Sequence, residues 1–381
     1  MKVALVHDYL KEYGGAERVL EALHEIYPKA PVYTSVYLPS YLGPHKERFK
    51  NWDIRTTWLQ YIPYKAKLIS PLRLLAPFAF RSLDFSGFDV IISSATGAYF
   101  PNTLNKKKAK LVCYCHTPPR YLYGYATARE WKKNVIFRIV GAIANHVLRM
   151  LDFDASKNVD FYIANSEEVA ARIKKFYRRD ATVMYPPVDV RSAKSEVRSQ
   201  SRNSKLEIRD YFLAGGRLAR PKHIDLIIKA CMDLDLPLKI FGKGFAGYGS
   251  ELRLLAESKG QSVESRIEFV GEVTDEEKWE LMRNAKAYIN ASEDEDFGIL
   301  PVEAMAAGIP VIAYRSGGVK ETVVEGETGL FFDELEEESL KTVIRKFSKL
   351  TFDPKICEER AEEFSEDKFT KNIEKFVEKI R

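Results

Sequence analysis

Short apolar runs alternate with segments of helical periodicity along most of the 381-residue chain. Apolar runs that are bounded by glycine or polar residues predict buried strands. Their alternation with amphipathic helices predicts an α/β fold, in which parallel sheets carry helices on both faces. The predicted strands lie at residues 2–8, 31–37, 89–95, 110–116, 161–166, 211–215, 238–244, 267–273, 287–290, 311–314 and 330–332.

The chain length predicts two domains, since single domains usually hold about 100–200 residues. Residues 191–210 contain five serines and mixed charge without periodicity, which is typical of a linker. We therefore predict an N-terminal domain at 1–190, a linker at 191–210 and a C-terminal domain at 211–360. A last helix at 361–381 presents one apolar face, formed by Phe369, Ile373, Phe376, Val377 and Ile380.

The composition of the chain indicates the cellular compartment in which we expect the protein. No run of apolar residues is long enough for a spanning helix, and the N-terminus lacks the apolar core and cleavage site of a signal peptide. The four cysteines are scattered without metal-binding spacing, which predicts buried reduced thiols. We expect a cytoplasmic protein, with a peripheral position on the cytoplasmic face of a membrane as an extension of that expectation.

Charge is distributed unevenly. Residues 1–190 hold 28 Lys and Arg against 17 Asp and Glu, a net +11, and the remainder holds 31 against 37, a net −6. The basic half predicts an anionic partner, either a membrane surface or a lipid phosphate, or else a solvated basic face. Residues 57–81 mix basic, aromatic and leucine side chains, which fits membrane contact or packing on the sheet. Nucleic acid is not expected, because no stacking platform is recognisable.

The stretch with the most candidate functional residues is 293–312, EDEDFGILPVEAMAAGIPVI. Proline suits the first turn of a helix and glycine its end, so this stretch predicts an acidic loop, a short helix and a strand. The free backbone N–H groups near Gly298, Ile299 and Leu300 would bind phosphate. Glu295 and Glu303 would accept hydrogen bonds from sugar hydroxyls on a phosphorylated sugar.

Other candidates lie at strand ends, where open α/β sheets bind ligands. Asp8 ends the first strand and is either an acceptor-orienting carboxylate or a turn residue. The pair Gly14 and Gly15 precedes a helix and forms either a phosphate turn or an ordinary tight turn. His116 ends the strand at 110–116 and is by itself more typical of a structural histidine.

The full string E-D-F-G-I-L-P-V-E, followed by EAMAAG and PVIA, resembles the signature of the retaining glycosyltransferases of family 4. This resemblance implies the GT-B fold: two Rossmann-like domains facing a central cleft, with a C-terminal helix that crosses back to the first domain. It also implies a nucleotide-sugar co-substrate and a metal-independent transfer with retained configuration. Asp294 and Asp296 flank Glu295 in the spacing of a metal site, which we interpret as coincidence.

The resemblance assigns roles to single residues. Glu303 would bind the ribose, Glu295 the transferred sugar, and His116 would contact the donor sugar in the catalytic centre with Glu295 and Asp8. On the donor side it places the glycine pair at 14–15 and the phosphate-binding turn at 298–300. It also implies that Arg217 and Lys222 bind the diphosphate, and that Gly244 and Val273 contact the nucleotide. On the acceptor side it places Arg120 and Asn165.

The motif HTPPRY at residues 116–121 further resembles a subgroup of bacterial mannosyltransferases that act on O-antigen and other lipid-linked saccharides. This implies GDP-mannose as the donor and an anionic lipid-linked or polysaccharide acceptor. UDP-sugars remain an alternative, because base contacts through the backbone leave little trace in sequence. A GT-B sugar-nucleotide epimerase and a non-catalytic nucleotide-binding protein are further alternatives.

Overall fold

The computed structural model describes residues 1–127, 135–195, 210–257 and 266–380, with the side chains of 135–140 and 194–195 left out. The described chain divides into two compact units. The first contains residues 1–125, 135–187 and 367–380, and the second is built mainly from residues 188–366. Each unit has its own parallel sheet and its own apolar core.

The first unit is organised around a seven-stranded parallel sheet, in the order β3-β2-β1-β4-β5-β6-β7. Its central strands are buried on both faces, which explains why they read as continuous apolar runs. The strands are β1 (Val3–His7), β2 (Val32–Thr34), β3 (Ile54–Thr56), β4 (Val90–Ala95), β5 (Lys110–Cys115), β6 (Phe161–Ala164) and β7 (Ala181–Val183). The helices are Gly15–Ile26, Ile69–Leu72, Ala76–Arg81, Arg120–Tyr123, Val135–Asn158, Glu167–Tyr177 and Glu366–Ile380.

The second unit repeats the arrangement with six parallel strands, in the order β10-β9-β8-β11-β12-β13. The strands are β8 (Tyr211–Gly215), β9 (Leu238–Phe241), β10 (Ile267–Gly271), β11 (Ala285–Asn290), β12 (Val311–Tyr314) and β13 (Gly329–Phe332). The helices are Val190–Ser195, Ile224–Asp233, Tyr248–Glu257, Asp275–Arg283, Ile299–Ala306, Val319–Thr322, Glu337–Phe347 and Pro354–Glu362. The predicted α/β class with two parallel sheets is confirmed.

Both sheets reverse their strand order at one place, between β1 and β4 in the first unit and between β8 and β11 in the second. Connections leave in opposite directions at such a point, so the loops separate and open a crevice at the carboxyl ends of the strands. In the first unit this places His7, Asp8 and Ser94 side by side. In the second, a Cβ on Gly216 would lie 2.6 Å from the Leu300 side chain, so the loop after β8 closely approaches the helix Ile299–Ala306.

The last helix, Glu366–Ile380, returns to the first unit, as the resemblance implied. Phe369, Ile373 and Val377 are buried in the same cluster as residues of β1, β4 and β5. The ring of Phe369 lies 5.9 Å from that of Tyr114 on β5. Burial of this apolar face explains its helical spacing in the sequence.

The boundary between the units lies between Pro187 and Val188, whereas the sequence places the linker at 191–210. Val188 forms a parallel bridge with Ser365, which ties the start of the second unit to its end. Residues 191–195 belong to the helix Val190–Ser195, and the part of the predicted linker at 196–209 lies outside the described residues.

All four cysteines are buried, as predicted, and the described part of the chain contains no disulfide. Within the described residues, every helix is too short or too polar to cross a bilayer.

We expect Phe369→Ala to destabilise the first unit by about 3–5 kcal/mol, because it removes a fully buried aromatic side chain from the core. Urea denaturation measures the loss. The control Lys371→Ala changes an exposed position of the same helix and is expected to stay within about 0.5 kcal/mol of the parent. Equal stability of the two variants would contradict the placement of this helix.

Candidate active site

The acidic loop 293–298 of the second unit is held by backbone contacts. The Gly318 N–H donates to the Glu295 carbonyl at 2.8 Å, and the Asp294 N–H donates to Ser316 Oγ at 3.1 Å. A Cβ on Gly317 would overlap the Glu295 carbonyl oxygen, and one on Gly318 would lie 2.5 Å from the Asp296 oxygen. The glycine pair after β12 is therefore required for the close approach of this loop.

The helix Ile299–Ala306 starts directly after the loop. Its N-cap, Gly298, has φ 91°, a left-handed conformation that favours glycine. The first helical residues, Ile299 and Leu300, are only partly buried, whereas Pro301 onward is buried. The unsatisfied N–H groups of this first turn form a site of positive potential, as the sequence predicts.

A second loop, after β8, meets the acidic loop. The Glu293 N–H donates to the Pro221 carbonyl at 2.8 Å. Lys222 Nζ donates to Glu295 Oε2 at 2.5 Å, and their side chains are 29% and 14% exposed. Two residues that the sequence selected independently, 73 positions apart, therefore form one charge-assisted contact.

Arg217 lies at the start of the same loop, with its guanidinium 5.3 Å from the ring centre of Phe245. Leu218 beside it forms a parallel bridge with Gly244. These contacts hold the Arg217 turn against the glycine loop that follows β9. A cavity of about 320 Å³ opens at that loop and is lined by Gly244, Gly247, Gly249, Ser250 and Arg253.

Glu303 is fully buried and pairs with Lys278, whose Nζ lies 2.7 Å from Oε1. Lys278 also donates to Asp275 Oδ1 at 3.0 Å. A buried carboxylate needs such a partner, because an uncompensated charge is costly to bury. Lys278 was not predicted as a site residue, because a lysine in the acidic helix Asp275–Arg283 is typical of a solvated face.

Val273 follows the last residue of β10 by two positions and is half-buried. It leads into Thr274, whose hydroxyl caps the helix Asp275–Arg283 by accepting the Glu277 N–H. The predicted nucleobase contact therefore lies on the same turn that begins the Lys278 helix. Its role as a nucleobase contact stays a prediction.

In the first unit, a buried polar chain connects four residues at the carboxyl edge of the sheet. His116 Nε2 lies 2.9 Å from Ser94 Oγ, and His7 Nδ1 lies 3.2 Å from that hydroxyl and 3.0 Å from the Ser94 carbonyl oxygen. His7 Nε2 then lies 3.4 Å from Glu17 Oε1. Burial, and to a smaller extent the charge of His7, lowers the pKa of His116 to about 3.

Of these four residues, only His116 was selected from the sequence. His7 ends β1, one position before the selected Asp8, and the two side chains alternate along the strand direction. Glu17 lies three residues after Gly14, a capping-box spacing that would have been a signal.

Asp8 is fully buried and accepts hydrogen bonds from the loop after β4. Its Oδ1 accepts the Tyr99 N–H at 2.7 Å, and its Oδ2 accepts the N–H and the hydroxyl of Thr96 at 2.5 and 2.7 Å. Burial raises the pKa of this carboxyl, and His7 and the hydrogen bonds oppose that rise. Asp8 thus holds the loop after β4, and its catalytic role stays a prediction.

The remaining selected residues lie at helix starts in the first unit. The Gly14 N–H donates to Glu17 Oε2 at 2.9 Å, and Gly15 begins the helix Gly15–Ile26. Arg120 begins the short helix Arg120–Tyr123. Asn165 is buried beside Ser166, whose hydroxyl caps the next helix by accepting the Val169 N–H at 3.0 Å.

Two parallel sheets of Rossmann type, with cations and a helix N-terminus at the strand-order reversal of the second, match the GT-B class and suit a nucleotide ligand. Two family models match the chain: Glycosyltransferase Family 4 over residues 13–192, and Glycosyl transferases group 1 over residues 197–365. The chain belongs to the family-4 glycosyltransferases, which confirms the resemblance.

Relatives and solved structures agree with this assignment. The chain is 26% identical over 338 residues to "Alpha-1,3/1,6-mannosyltransferase ALG2" of Dictyostelium discoideum, covering 78% of this chain and 77% of the relative. It is 24% identical to the Mus musculus protein of that name, covering 96% and 94%. The Anabaena Alr3699/HepE structure, in complex with UDP and glucose, superimposes with a TM-score of 0.71 at 19% identity and covers 99% of both chains, which confirms the GT-B fold.

We expect Gly317→Ala to displace the acidic loop and to weaken nucleotide-sugar binding by more than about tenfold, because the new methyl group overlaps the Glu295 backbone. Gly326→Ala is the matched control: its φ of 84° is also left-handed, but no atom of the described chain lies within 4 Å of the added carbon. Both variants lose about 1 kcal/mol from backbone strain. Calorimetric titration would contradict the assignment if the two variants bound equally well.

Proposed function

We propose that this glycosyltransferase moves a mannosyl residue from GDP-mannose to a lipid-linked saccharide, with retention of configuration. The contact between Lys222 and Glu295 carries the proposal, because it puts a cation for the diphosphate against a carboxylate for the sugar hydroxyls. The mannosyl specificity is supported by the two ALG2 relatives, whose names describe α-1,3/1,6-mannosyl transfer. The HTPPRY motif at residues 116–121 supports the same choice.

Departure of the nucleoside diphosphate leaves negative charge on its phosphate oxygens. Arg217, Lys222 and the N–H groups at 298–300 are the groups proposed to stabilise that charge. Fixed donors of this kind lower the barrier because they need no reorganisation during the reaction. We propose that these cations take the place of a metal ion.

The two glutamates are proposed to divide recognition of the donor. Glu295, partly exposed in the loop, would accept hydrogen bonds from the hydroxyls of the transferred sugar. Glu303, fixed by Lys278 in the interior, would accept hydrogen bonds from the ribose. Replacing Lys278 would remove the cation that fixes Glu303, so the proposed ribose site depends on both residues.

The diphosphate and base assignments are tested by thermal shifts with GDP, UDP and ADP. GDP at 100 times its dissociation constant is expected to add about 2.7 kcal/mol of stability. Lys222→Ala and Arg217→Ala are expected to abolish most of this shift, since each removes a charge-assisted hydrogen bond to phosphate. Arg220→Ala is the matched control, because Arg220 lies between them and pairs with Glu251 at 2.6 Å.

A preference for UDP would retain the transferase and overturn the choice of GDP. An epimerase would change the sugar of the donor without an acceptor, which product analysis by mass spectrometry detects. No response to any nucleotide would overturn the proposal and favour a non-catalytic protein.

We also propose that the first unit binds an anionic membrane surface through residues 54–83. This stretch contains five basic residues and no acidic one. It also carries large apolar side chains that face solvent, among them Tyr61 at 84%, Tyr64 at 78% and Phe78 at 56% exposure. Aromatic side chains flanked by cations suit the interface of an anionic bilayer.

Vesicle sedimentation with anionic lipids tests this surface. The triple variant Tyr61→Ser, Tyr64→Ser, Phe78→Ser is expected to lose at least about tenfold in partitioning, because apolar area no longer enters the interface. The control changes another exposed apolar set, Ile143, Val147 and Met150 on helix Val135–Asn158, to serine. Equal loss in both variants would contradict a specific surface at 54–83.

A further inference from the structure

The hydrogen positions in the buried chain of the first unit follow from what each partner is able to accept. The carbonyl oxygen of Ser94 only accepts, and it lies 3.0 Å from His7 Nδ1, so His7 carries a hydrogen on Nδ1. The other nitrogen, Nε2, faces the Glu17 carboxylate at 3.4 Å. This second contact fixes the orientation of the ring, so that the N–H at Nδ1 faces Ser94.

Glu17 is itself held in place. Its side chain is 7% exposed, and its second oxygen accepts the Gly14 N–H at 2.9 Å. Both carboxyl oxygens of this buried side chain therefore have polar partners, as buried polar groups require. Strand pairing holds the partners in place, because His7 of β1 lies directly opposite Ser94 of β4.

The hydrogen on His7 Nδ1 then decides the direction of the next contact. The Ser94 hydroxyl oxygen, 3.2 Å from His7 Nδ1, shares the hydrogen that His7 donates. The hydroxyl hydrogen is therefore available for His116 Nε2, which lies 2.9 Å away. His116 Nε2 accepts this hydrogen bond and carries no hydrogen of its own.

A neutral imidazole without a hydrogen on Nε2 must carry it on Nδ1. Within the described residues, His116 Nδ1 contacts no hydrogen-bond partner, so its N–H is left for a ligand. We propose that Glu17, His7 and Ser94 are positioning residues that lock His116 in this tautomer, as a hydrogen-bond donor to a ligand oxygen. The lone pair that a general base needs is already occupied by Ser94.

This inference rests on the proposed function in one respect: the ligand oxygen is then a hydroxyl or phosphate oxygen of the nucleotide sugar. A donor at this position stabilises negative charge or fixes a hydroxyl. It does not remove a proton from the acceptor, so that proton must leave to a different base.

The tautomer is measured directly by NMR of protein labelled with ¹⁵N-histidine, in which protonated and bare ring nitrogens differ widely in chemical shift. The His116 signals are assigned by their loss in His116→Asn. We expect a bare Nε2 and a protonated Nδ1 from about pH 5 to pH 8, the range in which free histidine titrates. A protonated Nε2 in the parent protein would overturn the proposal.

Ser94→Ala removes the hydroxyl and is expected to move a substantial fraction of His116 into the Nε2–H tautomer, with about a tenfold lower kcat/KM. Ser94→Thr keeps the hydroxyl and is expected to restore both. Ser93→Ala is the matched control, because its buried Oγ on the same strand has no hydrogen-bond partner among the residues that the structure describes. An unchanged tautomer in Ser94→Ala, or a changed tautomer with unchanged kcat/KM, would overturn the positioning role.

The measurements distinguish failure of the His116 tautomer from failure of the proposed glycosyl transfer. If the tautomer shifts in Ser94→Ala but the parent transfers no sugar from any nucleotide donor, the proposed function is overturned while the lock on His116 is supported.

Discussion

The contact between Lys222 and Glu295 is the interaction on which the second unit's site depends. It joins the loop after β8 to the loop after β11, which the sheet brings together at its strand-order reversal. The bond from Glu293 to Pro221 and the close approach of Gly317 fix the same two loops through the backbone. The backbone contacts hold the two loops together, and the side-chain contact fixes where the Lys222 cation and the Glu295 carboxylate lie. Charges fixed in this way are what a preorganised site requires.

Buried polar side chains are paired in both units. His7 contacts Glu17 in the first, and Lys278 pairs with Glu303 in the second. Replacing Lys278 removes the cation from a buried carboxylate, at a cost of about 3–5 kcal/mol. Each pair instead fixes a polar group at the carboxyl edge of its sheet, which gives the pairs a functional reason to exist.

The fold and the candidate site of the second unit were predictable from sequence, because both depend on patterns in consecutive residues. The strand–loop–helix stretch at 293–312 and the apolar face of the last helix are contained in consecutive residues. His7 and Ser94 were missed because they lie 87 residues apart and meet only through the register of β1 and β4. Asp8, the neighbour of His7, was selected at the end of the first strand. Consecutive side chains of a strand point to opposite faces, so the selection of Asp8 gave no information about His7.

The proposed phosphate site of the second unit consists of hydrogen-bond donors. Arg217, Lys222 and the N–H groups at 298–300 would select oxygens that accept hydrogen bonds. Phosphate oxygens would satisfy these donors regardless of the base attached. The predicted base contact at the turn around Val273 uses backbone amides and carbonyls, which are present whatever the side chains are. This is the physical reason why the sequence identifies a sugar transferase more readily than its nucleotide.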